Sequence, residues 1–280
     1  LGILPTPALA FLTKKNVADA GIMITASHNP AADNGIKIFN TSGYKISDSQ
    51  QKSIELRAVT TEVNLDKKNV TPGNQLDESG LNTKKYIEMV KSSIGEPIGP
   101  EISVVIDCAH GAVSGIAPNI FKQLHIKTHA IYTAPDGANI NYNAGAMYPE
   151  KAAKKVIEEN ADIGISFDGD GDRAIFIDEN GKAVDGDQII AIIATFLSEQ
   201  NKLNQKKVVV TNYSNLALDG SLKKEGIEVL RVENGDRFVA KKMQEENLNF
   251  GAEKTGHIIF GDYSTAGDGI IAALQLLKIM

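Results

Sequence analysis

Residues 149–199 read PEKAAKKVIEENADIGISFDGDGDRAIFIDENGKAVDGDQIIAIIATFLSE, and their order decides the fold. Pro149–Glu159 and Gly186–Glu199 carry apolar residues at helical spacing, while Asp162–Phe167 and Ala174–Asp178 are short apolar runs on either side of an acidic stretch. The same alternation continues outward. Further strand candidates are Gly21–Thr25, Ile36–Phe39, Ile102–Asp107, Lys207–Thr211, Ile227–Val232 and Leu248–Ala252. Further helix candidates are Ser47–Ala58, Leu81–Ser92, Ile116–Leu124, Ser214–Lys224, Phe238–Glu246 and Gly269–Lys278. Short Ile- and Val-rich runs alternating with longer helical stretches predict βαβ units and mostly parallel sheets, so the chain reads as an α/β protein.

A length of 280 residues exceeds what one hydrophobic core ordinarily serves. The polar stretch Val59–Gly80 has neither period and contains Pro72, Gly73 and Gly80, which marks it as a linker. A second boundary falls near the Asp178-Glu179-Asn180-Gly181 turn. The expected organisation is three consecutive α/β/α units with mixed, mostly parallel sheets, at residues 1–78, 79–182 and 183–280. Hydrophobic residues at 42% and charged residues at 23% are ordinary globular values, which argues against a disordered or fibrous chain. The longest apolar stretch, Ile189–Leu197, falls far short of the roughly 20 residues a membrane helix needs, so no membrane partner is expected. Leu1-Gly2-Ile3-Leu4-Pro5 has no basic residue before its apolar ones, unlike a signal peptide, and both ends of the chain read as cut. Cys108 is the single cysteine, so no intramolecular disulfide is available and a cytoplasmic location is the default reading. A net charge of −6 offers no basic footprint for nucleic acid.

The sharpest local feature is Asp168-Gly169-Asp170-Gly171-Asp172-Arg173, between two strand candidates. Three carboxylates at alternate positions converge on one point only if the backbone turns tightly, which Gly permits. Hard oxygen ligands in that number suit Mg²⁺, Mn²⁺ or Ca²⁺ rather than Zn²⁺. An EF-hand is excluded, because Arg173 and the strand after it fill the second half of the loop and neither a closing Glu nor a flanking helix is present. The bland alternative is a solvated acidic turn, against which stands the mutual repulsion of three unpaired carboxylates.

Thr25-Ala26-Ser27-His28-Asn29-Pro30 directly follows the strand candidate Gly21–Thr25, at the sheet edge where open α/β folds place ligands. Taken alone, Ser27 reads as a turn or cap residue, and the Gly-x-Ser-x-Gly elbow of a hydrolase is absent. Lys37, in Asn34-Gly35-Ile36-Lys37, is either a solvated lysine at a strand edge or, with its pKa lowered by burial, a proton donor and acceptor. After the strand Leu248–Ala252 come Glu253, Thr255 and His257. If that segment is extended, their alternation directs all three to one side, offering two hydroxyl-binding groups and one titratable imidazole; otherwise it is an ordinary polar strand end.

Together, TASHNP followed by NGIK, then DGDGDR, then GAEKTGH resemble the α-D-phosphohexomutase superfamily, over essentially the whole chain. The DCAHGA segment, the run DGANINYNAG, the segment VDGDQI and the ending GDGIIAALQLL look most like the branch that isomerises glucosamine phosphates, with the phosphomannomutase/phosphoglucomutase branch as the near alternative. The resemblance implies that Ser27 is the phosphoserine, and that Asp168, Asp170 and Asp172 hold one Mg²⁺ together with an oxygen of that phosphoserine. Arg173 would contact the phosphoryl group, and Lys37 and His257 would be general acid and base groups. His28 and Asn34 would shape the phosphoserine loop, Glu253 and Thr255 would recognise sugar hydroxyls, and the Gly235-Asp236-Arg237 stretch would help to hold substrate. The family usually has Ser where Thr255 stands, so the hydroxyl is kept but its rotamers are narrowed. A hexosamine phosphate is the implied substrate, a sugar bisphosphate the implied intermediate and activator, and a homodimer is left open. A phosphoserine brings about −1.5 to −2 charge, which beside three aspartates calls for a dication. Two rivals are a non-catalytic sugar-phosphate-binding relative, against which Ser27, Lys37 and the three aspartates argue, and a haloacid-dehalogenase-like phosphatase, whose nucleophilic Asp-x-Asp stands near the start of its domain. Family members also carry a segment ahead of Leu1 and a further C-terminal domain that grips the distal phosphate, so these 280 residues alone are expected to bind Mg²⁺ but turn over poorly.

Overall fold

The computed structural model of the chain describes residues 1–60, 74–95, 98 and 101–280. Two four-stranded mixed sheets form its centre. In the first, β3 (Ser103–Asp107) pairs in parallel with both β4 (Lys127–Ile131) and β5 (Ile163–Phe167), and β6 (Ala174–Ile177) closes the edge antiparallel to β5. Every residue of β3 and β5 is buried, as expected of central parallel strands covered on both faces. The helix α5 (Glu150–Glu159) lays Ala152 and Val156 onto this sheet and ends on Asn160 in the left-handed conformation. It comes close because Gly164 has no side chain: a Cβ there would stand 2.7 Å from Val156.

The second sheet repeats the arrangement. Its order is β10 (Ile258–Phe260), β9 (Phe250–Ala252), β7 (Lys207–Thr211), β8 (Glu228–Val232), parallel except for β10 against β9. Here α8 (Asp236–Glu246) packs Val239 and Met243 over Gly251, where a Cβ would meet the Met243 sulfur at 2.5 Å. Between the sheets runs α9 (Gly269–Ile279), buried over nearly its whole length, and beside it α6 (Gly186–Glu199), which begins on an Asp185/Gln188 capping box. One apolar cluster joins residues of all three units, from Leu4 and Tyr86 through Ile106 and Phe167 to Ile271.

The N-terminal unit adds a two-stranded sheet. Its described strands, β1 (Ala20–Ile24) and β2 (Ile36–Asn40), form an antiparallel pair in which Met23 faces Lys37. They pack on α1 (Thr6–Lys15), a helix the sequence reading did not find, and α2 (Asp48–Thr60) follows with no buried residue. The remaining helices are α3 (Ser79–Ser92), α4 (Ala117–Gln123) and α7 (Leu216–Lys224). Residues 61–73 of the expected Val59–Gly80 linker lie outside the described residues, Pro72 and Gly73 among them; Val59 belongs to α2 and Gly80 to α3. Among the described residues no helix is long and apolar enough to cross a membrane.

Candidate active site

Three loops meet where the strands end: residues 25–35 after β1, residues 168–173 after β5, and residues 253–257 after β9. The acidic loop lies at the centre and is held from both sides. Thr6 N–H donates to the Asp170 carbonyl at 2.9 Å, Gly269 N–H to the Gly171 carbonyl at 3.0 Å, and Ala174 N–H to the Gly256 carbonyl at 3.1 Å. Gly171 takes φ +69°, a conformation L side chains rarely adopt, which is the tight turn the glycine spacing requires.

That turn gathers Asp168, Asp170 and Asp172, each buried, with one carboxylate oxygen apiece inside 4.8 Å of the others. Asp170 Oδ1 and Asp172 Oδ1 are buried without a hydrogen-bond partner among the described residues, an arrangement that costs free energy unless a cation or solvent completes it. The set could hold a metal ion, and its all-oxygen chemistry fits a hard dication. Burial and the neighbouring Asp172 and Asp170 push the Asp168 carboxyl well above the usual carboxylate range. Burial opposes ionisation of Asp172 too, but His257, Lys37 and Arg173 outweigh it and hold that group well below the range.

Ser27 is half-buried with φ +57°, and its hydroxyl donates to Asp168 Oδ2 at 3.1 Å. Lys37, on β2, reaches Asp170 at 2.6 Å and Asp172 at 3.1 Å. Of the two alternatives left open for this lysine, neither describes it: burial lowers its pKa, but Asp172 and Asp170 prevail and hold the ammonium above the ordinary lysine value. In this geometry Lys37 supplies the positive charge that the aspartates need.

His257 is fully buried, its Nδ1 3.7 Å from Asp172 and its Nε2 3.6 Å from Asp236. Burial works against charging the ring, while the two carboxylates outweigh it and raise its pKa. The Gly267 N–H lies 3.0 Å from Nε2, a contact that becomes a hydrogen bond when the ring is neutral at that nitrogen. Asp236 also pairs with Lys45, linking the third unit to the first; burial raises its pKa, but His257 and Lys45 outweigh that and keep it low.

The run through Glu253, Thr255 and His257 is not extended but forms the tight turn between β9 and β10. Glu253 N–H donates to the His257 carbonyl at 2.8 Å, and Gly256 sits at φ +89°. Glu253 and His257 therefore face one another across the hairpin, and Thr255 lies exposed at its tip. Glu253 accepts from the backbone N–H of Gly235 at 3.2 Å, fixing the Gly235-Asp236 loop, and burial raises its carboxyl pKa. Arg173 lies against Asp172 at 3.8 Å, its Nε buried without a hydrogen-bond partner. The ring of His28 is partly buried, which lowers its pKa, with Arg173 adding to the effect. Asn34 stays outside this gathering: it is exposed, and its side-chain oxygen accepts the Gly35 N–H at 2.9 Å. Three residues were missed in the sequence. Thr6 donates its hydroxyl to Asp170, Lys45 pairs with Asp236, and Asn141 bonds the Ser27 loop.

Three descriptions of the "Phosphoglucomutase/phosphomannomutase, alpha/beta/alpha" domains match in order: domain I over residues 1–64, domain II over 84–181 and domain III over 185–280. The chain is 44% identical over 284 residues to a phosphoglucosamine mutase of Clostridium kluyveri, and 44% identical over 280 residues to one of Anoxybacillus flavithermus. Both alignments take in 100% of this chain and 62% of the relative, so the chain spans about three-fifths of the length of these relatives. The crystal structure of a phosphoglucomutase/phosphomannomutase family protein from Burkholderia thailandensis superposes with a TM-score of 0.82 at 25% identity, covering 99% of this chain and 60% of the other.

Proposed function

The chain belongs to the phosphoglucomutase/phosphomannomutase family, and from that premise we propose that it carries the phosphoserine, metal and sugar loops of a phosphoglucosamine mutase, interconverting glucosamine 6-phosphate and glucosamine 1-phosphate. The observation that carries the reading is the Ser27 hydroxyl bonded to one member of a buried aspartate triad whose other two members keep orphaned oxygens. The identity to curated phosphoglucosamine mutases favours glucosamine over mannose and glucose phosphates.

In this reading, residues 1–78 supply phospho-Ser27, residues 79–182 the aspartates and residues 183–280 the sugar-recognising turn. The bond between phosphorus and Ser27 Oγ breaks as a bond from phosphorus to the free sugar hydroxyl forms. The hydroxyl proton passes to a base, and Ser27 Oγ regains a proton. The bisphosphorylated sugar then returns its other phosphoryl group to Ser27. His257 is assigned the proton transfers, and Lys37, held as an ammonium, shares with Arg173 the charge of the transferring oxygens. Glu253, Thr255, Gly235 and Asp236 are assigned the sugar, while His28 and Asn34 border the phosphoserine loop. Mg²⁺ bound by Asp168, Asp170, Asp172 and a phosphoserine oxygen would supply neutralisation of the transferring charge.

The test is Ser27→Ala in the full-length enzyme, assayed with glucosamine 6-phosphate. Removing the carrier is expected to lower kcat by about a thousandfold or more with the fold intact, and activity near wild type would sink the reading. Turnover of mannose and glucose phosphates in the same assay decides between the branches.

A further inference from the structure

We propose that Asn141 is a positioning residue: its side-chain amide clamps the Ser27 loop of the first unit onto the acidic loop of the second. The inference rests on the reading of Ser27 as phosphoryl carrier, but its geometry is independent of that reading.

Asn141 Nδ2 donates to the Ser27 carbonyl at 2.8 Å and to the Asn29 carbonyl at 2.8 Å. Two carbonyl acceptors are satisfied only by the NH₂ end, so the orientation of the amide is fixed by its partners. Asn141 is 6% exposed, which leaves the bonds little competition from water. It is itself built in from below. Its φ is +58°, a left-handed conformation Asn tolerates, and its N–H donates to the Ala109 carbonyl at 2.9 Å. Ala109 is held in turn by the buried Asp107, whose carboxylate accepts the N–H groups of Ala109 at 2.8 Å and Gly145 at 2.9 Å. The acidic loop closes on the same point: a Cβ on Gly169 would stand 2.6 Å from both Asn141 Nδ2 and the Ser27 carbonyl oxygen. Ser27, at φ +57°, thus presents its hydroxyl to Asp168 from a loop whose carbonyls are tied down by a residue of the other unit.

The test compares Asn141→Gly and Asn141→Asp with wild type in the full-length enzyme. Gly keeps the positive φ and removes the amide, while Asp keeps the shape and turns a donor into an acceptor facing two carbonyls. The readouts are kcat and KM with glucosamine 6-phosphate, and the rate at which glucosamine 1,6-bisphosphate phosphorylates Ser27, followed by peptide mass spectrometry. Misplacing the carrier is expected to lower kcat and the labelling rate about tenfold in the Gly variant and further in the Asp variant, with KM within about threefold. An Asn141→Gly enzyme with kcat within about twofold of wild type overturns the clamp. Should neither variant fold, a crystal structure of the wild-type enzyme decides: Asn141 Nδ2 within hydrogen-bond reach of the Ser27 carbonyl supports the proposal, and an amide turned away overturns it. Ser27→Ala separates the two ideas, since labelling that persists in that variant removes the carrier reading while the crystal structure still judges the clamp.

Discussion

The hydroxyl of Ser27 donates to Asp168 across 3.1 Å, joining loops of two units that lie 141 residues apart in the chain. Asp168 resists ionisation because it is fully buried beside Asp172 and Asp170. Asp168→Asn keeps an acceptor for the Arg173 N–H and a polar partner for Ser27, yet removes one buried carboxylate. At pH 8 without metal the variant is therefore expected to be more stable than wild type by about 1–2 kcal/mol. With millimolar Mg²⁺ the order reverses, since the metal stabilises only the chain that binds it well. Thermal melts in EDTA and in Mg²⁺ check both halves, and a less stable variant in EDTA would contradict the account.

Lys37 and a metal ion compete for the same two carboxylates, Asp170 and Asp172. Lys37→Met removes the resident charge while preserving most of the buried chain. Mg²⁺ affinity, read by calorimetry, is expected to rise about tenfold, because the dication no longer meets an ammonium beside its ligands. Mutase turnover should fall at the same time. Unchanged or weaker metal binding would show that the lysine does not occupy the metal's electrostatic place.

Most of the fold was legible because its strands and helices announce themselves locally. Lys207–Thr211 and Gly186–Glu199 were read with the bounds they have, since a buried Val run and a sustained helical period leave little choice. Two of the elements that escaped lack such a pattern. β4, Lys-Thr-His-Ala-Ile, is an edge strand with a single large apolar residue, and α1 is buried along so much of its surface that no polar face marks its period. In the site, the acidic loop and the Ser27 loop were legible from charge and glycine spacing. Thr6 and Lys45 left no local signal, because their partners Asp170 and Asp236 lie 164 and 191 residues away. The turn through Glu253–His257 did leave one: Gly256, which punctuates the alternation and takes the positive φ the turn requires.

Gly169 separates packing from chemistry. In Gly169→Ala the new methyl meets the Ser27 carbonyl oxygen and Asn141 Nδ2, each at 2.6 Å, and Ile140 at 2.9 Å. The Ile140 methyl can turn aside, but the Ser27 carbonyl is backbone and the Asn141 amide is bonded to it, so the two loops must part. A loss of about 1–3 kcal/mol in stability is expected. Mutase activity should fall more than the unfolded fraction explains, because Ser27 moves off Asp168. Urea melts and kcat measured on the same preparation check this, and full activity per folded molecule would refute it.

Asp268 makes the contact between α3 and α9 sensitive to pH. It caps α9 through the N–H groups of Ile270 and Ile271, each at 3.0 Å, and accepts the Tyr86 hydroxyl at 2.8 Å, so it ties α3 to α9. Burial raises its pKa from 3.8 to about 6, against the pull of those three donors. An acid whose folded pKa is raised favours the folded state while protonated, so its contribution is whole below about pH 4 and is lost as pH rises through about 6. Asp268→Asn keeps the carbonyl that caps the helix, the amide can serve the Tyr86 oxygen, and nothing titrates. The stability of the variant relative to wild type should therefore climb between pH 4 and pH 6, by up to about 3 kcal/mol, and stay level above that. Urea melts of both proteins at pH 4.5, 5.5 and 7 measure the difference directly. A difference that is flat across that window, or that shrinks as pH rises, would mean that Asp268 is already ionised in the folded protein at low pH and that its three donors outweigh its burial.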